Sequence, residues 1–128
     1  MIDKIERYNL NGKELLYIKQ NSKNSKNKSK TLYEVNNIKD IGKNVVRPAI
    51  RVSSRNNGRI ISYQNYVNFD TVTAEKSIVK DTYSVSVPSK EGGKIIGYIK
   101  DNNPIAWTKD KSALKLLKKI GLIIKNGI

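Results

Sequence analysis

Arginines recur every fourth residue in RPAIRVSSRNNGR, at Arg47, Arg51, Arg55 and Arg59. A guanidinium is planar, permanently charged and able to grip a phosphate through two parallel hydrogen bonds. On one side of a strand, Arg47, Arg51 and Arg55 are expected to match the phosphates of an extended nucleic-acid strand, one arginine per phosphate. Gln64 and Tyr66 follow in the same stretch, and a tyrosine on that side can stack on an unpaired base. Lys26, Lys28 and Lys30, in the nearby run NSKNSKNKSK, supply further point charges. These nine residues form the candidate binding set.

Catalytic chemistry has much less to work with. The chain contains neither cysteine nor histidine. Ser-His-Asp and Cys-His systems are therefore excluded within it, as are thiolate and imidazole metal sites. Asp70, Glu75 and Asp81 carry oxygen ligands, but their spacing fits no metal-binding loop. The glycine pair in KEGGK lacks the Lys-Ser/Thr ending of a phosphate-cradling loop and reads as a hairpin connection. No catalytic residue, metal ligand or cofactor site is assigned. One enzymatic alternative survives, a small basic ribonuclease that needs no metal. Asp81, Tyr83, Lys94 and Lys109 would then supply acid, base and phosphate stabilisation.

Charge points to the partner. Lys and Arg number 25 against 11 Asp and Glu, a formal balance of +14, with a pI near 10.0. A polyanion is the natural complement: nucleic acid above all, otherwise another acidic macromolecule. An AT-rich coding sequence also inflates Lys and Asn, so the clustered arginines carry more information than the lysines. The expected function is non-catalytic binding of nucleic acid by a mobile-element or phage-type accessory protein. A structural component of a virion or ribonucleoprotein shares the same features. No apolar run approaches the roughly 20 residues of a membrane-spanning helix, and the N-terminus lacks the apolar stretch of a signal peptide. Those features predict a cytoplasmic location or one inside a viral particle.

The elements that must position these residues follow from periodicity. At 128 residues the chain suits one domain, and its apolar share of 38% suits a modest core. Pro48 argues against helix around the arginines. Val46, Ile50 and Val52 share one parity, and Arg47, Arg51 and Arg55 the other, which is the alternation of a strand. Asn57-Gly58 predicts a type I′ turn, so Arg55 faces Ile60 and Arg51 faces Gln64. Ile50, Val52, Ile61, Tyr63 and Val67 then form the core side, and Pro48 implies a sheet edge or a bulge.

Asn11-Gly12 predicts a hairpin within IERYNLNGKELLYIKQ, residues 5–20. Residues 21–30 predict a mobile basic loop. Val79, Tyr83, Val85 and Val87 alternate with Thr82, Ser84 and Ser86 in a strand that PSKEGG connects to KIIGYIK, with a further turn at DNNP. NFDTVTAEKS reads as a long loop or a short helical turn, and Trp107 as a core or rim residue. Ala113, Leu114, Leu117 and Ile120 recur at helical spacing, predicting an amphipathic helix over about 110–120, capped by Asp110 or Ser112 and ended by Gly121. LIIKNGI predicts a terminal strand. The expected fold is mainly β: antiparallel hairpins in one domain, a small open barrel or sandwich, with one C-terminal helix.

Overall fold

A computed structural model describes residues 2–10, 13–20, 26–34 and 47–127. Nine strands follow one another as β1 (Ile2–Leu10), β2 (Lys13–Gln20), β3 (Lys28–Glu34), β4 (Arg47–Arg55) and β5 (Ile60–Asn65), then β6 (Asp70–Lys76), β7 (Thr82–Ser89), β8 (Gly92–Lys100) and β9 (Asn103–Ala106). Each pairs antiparallel with its neighbour in sequence, giving one open sheet in chain order. One helix, α1 (Lys111–Asn126), follows them among the described residues. The β-rich expectation holds, but the described strands form one layer, with no second sheet stacked on it.

Short turns join the strands from β4 onward. Asn56, Asn57 and Gly58 take φ of 53, 58 and 83°, values that Asn and Gly adopt at little cost. Gly58 N–H donates to the Arg55 carbonyl and Arg59 N–H to that of Asn56. The turn spans four residues rather than two, yet the register is the expected one: Arg55 opposite Ile60 and Arg51 opposite Gln64. Asp101 and Asn102, both at positive φ, make the two-residue turn from β8 to β9. The connection from β7 to β8 is only Lys90-Glu91, because the strands reach Ser89 and Gly92.

β4 lies between β3 and β5, so the arginine strand is interior and not an edge. Pro48 is accommodated by a bulge, as Leu32 pairs with Ile50 and Tyr33 with Pro48, leaving Ala49 unpaired. An extra residue frees the ladder at the point where proline has no N–H to give. A second bulge leaves Ile96 unpaired between Val85–Gly97 and Ser86–Ile95.

The helix covers one face, against β5, β6, β8 and β9. Ile50, Ile61, Tyr63, Val72, Ala74, Val85, Ile96 and Ile99 meet Ala113, Leu117 and Ile120 in a single core. Asp110 caps the start, its carboxylate accepting the Ser112 N–H at 2.9 Å, which satisfies one of the helix's orphan donors.

Several expectations are corrected. Gly121 does not end α1; it is buried inside it, and the cap is Gly127 at φ 78°. Residues 122–126 are therefore helical, because Ile123 and Ile124 extend the stripe that packs on the sheet. Asp70–Lys76 is a strand, neither loop nor helical turn, with Val72 and Ala74 in the core. Val67 and Val79 are exposed in turns. Thr82, assigned to the outer parity, is buried where β7 begins, its hydroxyl donating to the Lys80 carbonyl. Residues 28–30 open β3 instead of continuing a loop. Asn11-Gly12, residues 21–25 and Val46 lie outside the described residues.

Candidate polyanion interface

Strand alternation assigns the site residues to faces. Val52 and Tyr63 are a cross-strand pair on the helix side, so Arg51–Gln64, Ser53–Ser62 and Arg55–Ile60 point to the other side. No described helix lies on that side. Pairing carries it across the sheet: Ile60 to Glu75, Glu75 to Ser84, Ser84 to Tyr98 and Tyr98 to Ile105. One row thus runs from Arg55 to Ile105 over six strands. Beside it lies a row of hydroxyls, Ser29, Ser53, Ser62, Thr73 and Ser86. Small side chains there let an elongated ligand approach the sheet closely.

Arg51, Arg55 and Arg59 are exposed. Among the described residues, none of the three is joined to a carboxylate. Their charges therefore face water, the state from which a phosphate contact releases counterions. Four residues of strand measure about 13 Å, so arginines at that interval match alternate rather than successive phosphates. Gln64 accepts the Tyr66 hydroxyl at 2.9 Å, which leaves its amide N–H groups as outward donors. Arg47 opens β4 opposite Glu34, two four-residue steps from Arg55.

The nine candidates are not brought together on one surface. Lys28 pairs with Ser54 and Lys30 with Val52, which puts both on the helix side, opposite Arg51 and Arg55. Lys26, Lys28 and Ser54 line a recess of 320 Å³ with Ile61, Tyr83 and Ile123. Tyr66 lies in the turn after β5, at the far end of the hairpin from Arg59.

One end of the sheet does gather charge. There the turns are tied by backbone bonds: Asn57 N–H to the Lys26 carbonyl, Lys76 N–H to that of Arg59 and Asp101 N–H to that of Asp81. Arg55, Arg59, Lys76, Lys80 and Lys100 all sit at this end and are exposed, with Asp81 and Asp101 as the acids of the same turns. Lys76, Lys80 and Lys100 were not among the sequence candidates. Each is isolated in sequence, and only the meander stacks their turns side by side.

Trp107 departs most from expectation. It is 69% exposed rather than buried, held edge-to-face on Tyr98 with ring centroids 5.7 Å apart. The Trp107 backbone N–H donates to the carbonyl of the bulge residue Ile96 at 2.9 Å. The contact with Tyr98 puts the indole beside the row that begins at Arg55.

The remaining chemical candidates are dispersed. Tyr83 faces the helix side, its hydroxyl donating to the Gly58 carbonyl, and Asp81 is in the adjoining turn. Lys94 pairs with Val87, about 17 Å along β7 from Thr82, and Lys109 precedes α1. Asp70 and Glu75 lie at opposite ends of β6 and on opposite faces. No group of three potential ligands is placed to hold a metal among the described residues, and no described helix is long and apolar enough to cross a membrane. No protein-family model, curated protein or solved structure matches this chain. The functional reading therefore rests on the geometry.

Proposed function

We propose that this protein binds nucleic acid non-catalytically, through the sheet face opposite α1 and the basic end continuous with it. One observation carries the reading. Arg51 and Arg55 are exposed on the uncovered face without a carboxylate partner among the described residues, and Arg55 leads directly to Arg59, Lys76 and Lys80. Guanidinium groups in that setting displace the counterions condensed on the phosphates, and the release of those ions drives association. The neighbouring hydroxyls and the Gln64 amide add neutral donors to phosphate or sugar.

The test is titration of fluorescent oligonucleotides over a series of salt concentrations. Binding at about 50 mM salt should weaken steadily as salt rises. Replacing Arg51 and Arg55 together by glutamine should lower the magnitude of the log–log salt slope by about 1.4 on a single strand, from about 0.7 per phosphate contact. The circular dichroism spectrum should not change, because both side chains are exposed. Absence of binding, or binding indifferent to salt, would remove the reading. RNA incubated with the protein in EDTA should stay intact; fragments would overturn its non-catalytic part.

A further inference from the structure

We infer that the ligand is a single strand whose bases stack on a ledge made by Trp107 and Tyr98. This rests on the nucleic-acid reading above and assigns a second chemistry to the same face.

Trp107 is the protein's sole tryptophan, and most of its surface is in water. Leaving so large an apolar ring exposed forgoes the burial that would otherwise stabilise the fold. The ring is nevertheless fixed. Its backbone N–H is bonded to the Ile96 bulge, and the ring stands in a T-shaped contact with Tyr98. Ile95 and Ile105 are exposed on the same side of the sheet. An aromatic platform flanked by aliphatic side chains, on a strongly cationic protein, suits a ligand with both π-faces and phosphates.

Register places the two chemistries in one line. Arg55 and Tyr98 belong to the same cross-strand row, four strand spacings or about 19 Å apart. Lys100 follows Tyr98 at the next position of the same parity. A strand of a few nucleotides spans that distance, within the usual range for a single-strand platform. A duplex would offer phosphates to Arg55 and Lys100 but keep its bases stacked within the helix, leaving the ledge without a partner. Glu75 occupies the middle of the row, where it repels phosphate. It can accept from the exocyclic amine of an unpaired base, so the bases and not the backbone should cross that position.

Trp107 is its own reporter. The protein would be titrated with an oligothymidylate of about 12 nucleotides and with a duplex of equal length. The single strand should bind more tightly and quench tryptophan emission, and the duplex should leave that emission unchanged. Trp107→Ala should weaken single-strand binding about 5- to 150-fold, without altering the duplex affinity or the salt slope, and Trp107→Phe should retain most of the affinity. In the unaltered protein, the oligonucleotide should shield Trp107 from acrylamide quenching; lack of shielding would overturn the inference even if Trp107→Ala failed to fold. Equal binding of both nucleic acids, insensitive to Trp107→Ala but reduced by the paired arginine substitutions, would remove the ledge and keep the polyanion reading. Emission quenching that persists with unchanged affinity and salt slope after those arginine substitutions would keep the ledge and overturn the arginine-led reading.

Discussion

Gly97 sits where β8, β9 and α1 meet, and adding one methyl group there should loosen the ledge without touching it. A Cβ on Gly97 would lie 2.3 Å from the Ile105 carbonyl oxygen, 2.9 Å from Leu117 Cδ2 and 3.3 Å from Ala106 Cα. The leucine methyl can turn away, although Leu117 is only 1% exposed and has little space. The carbonyl cannot, because it belongs to the backbone of β9. Ordinary carbon–oxygen contacts begin near 3.3 Å, so β9 must withdraw by about 1 Å. Overpacking of this kind costs about 1–3 kcal/mol, and weakening the ladder adds about 1 kcal/mol for each hydrogen bond lost. Restricting the unfolded chain returns about 0.4–1 kcal/mol. The net loss for Gly97→Ala should be about 3 kcal/mol, or roughly 10 °C in melting temperature for a domain of this size. Gly93→Ala is the control, since its Cβ would meet nothing closer than Ser86 Oγ at 3.8 Å. Thermal and urea unfolding would compare the three proteins, with Trp107 emission reporting on β9. If Gly97→Ala melts with the wild type and with Gly93→Ala, the close packing of β9 on β8 under α1 is refuted.

Two further substitutions test the row and the turns. Glu75→Gln removes a negative charge about 10 Å from Arg55, two strand spacings away, and should raise affinity for oligothymidylate, whose bases offer no exocyclic amine to Glu75, about twofold at low salt. The gain should fade once the Debye length drops well below that distance; a fall in affinity would show that the ligand uses the carboxylate. Phe69 holds φ at 62° while 86% exposed, a backbone conformation that costs a bulky residue about 1 kcal/mol. Phe69→Asn should therefore stabilise the fold by about 0.5–1 kcal/mol in urea unfolding, and any loss of stability would mean that the ring has a packing role.

Local pattern made much of this protein legible. Alternation in residues 47–66 separates Arg51 and Arg55 from Ile50 and Val52, and the Asn-Asn-Gly turn sets the register that pairs Arg51 with Gln64. Asp110 was readable as a cap because capping needs only the next few residues. β6 was not, since five of the seven residues of DTVTAEK are polar. It is a strand because β5 and β7 complete its ladders and Val72 and Ala74 fall under the helix. Gly121 read as a stop because glycine weakens an isolated helix. In the folded chain α1 lies so close to the sheet that a Cβ there would meet Ile99 Cδ1 at 3.1 Å.

What the sequence alone determined is the inventory: the charge, the absence of histidine and cysteine, the hairpin of arginines and the amphipathic helix. All of these depend on composition or on neighbours within a few residues. Which candidates share a surface was decided only by the tertiary structure. Strand pairing sets each strand's phase against the next, so that Arg55 and Tyr98 align while Lys28 and Lys30 fall on the other side. Solvent exposure of Trp107 was likewise invisible in the chain, because it depends on a bulge at Ile96 and on which face the helix covers.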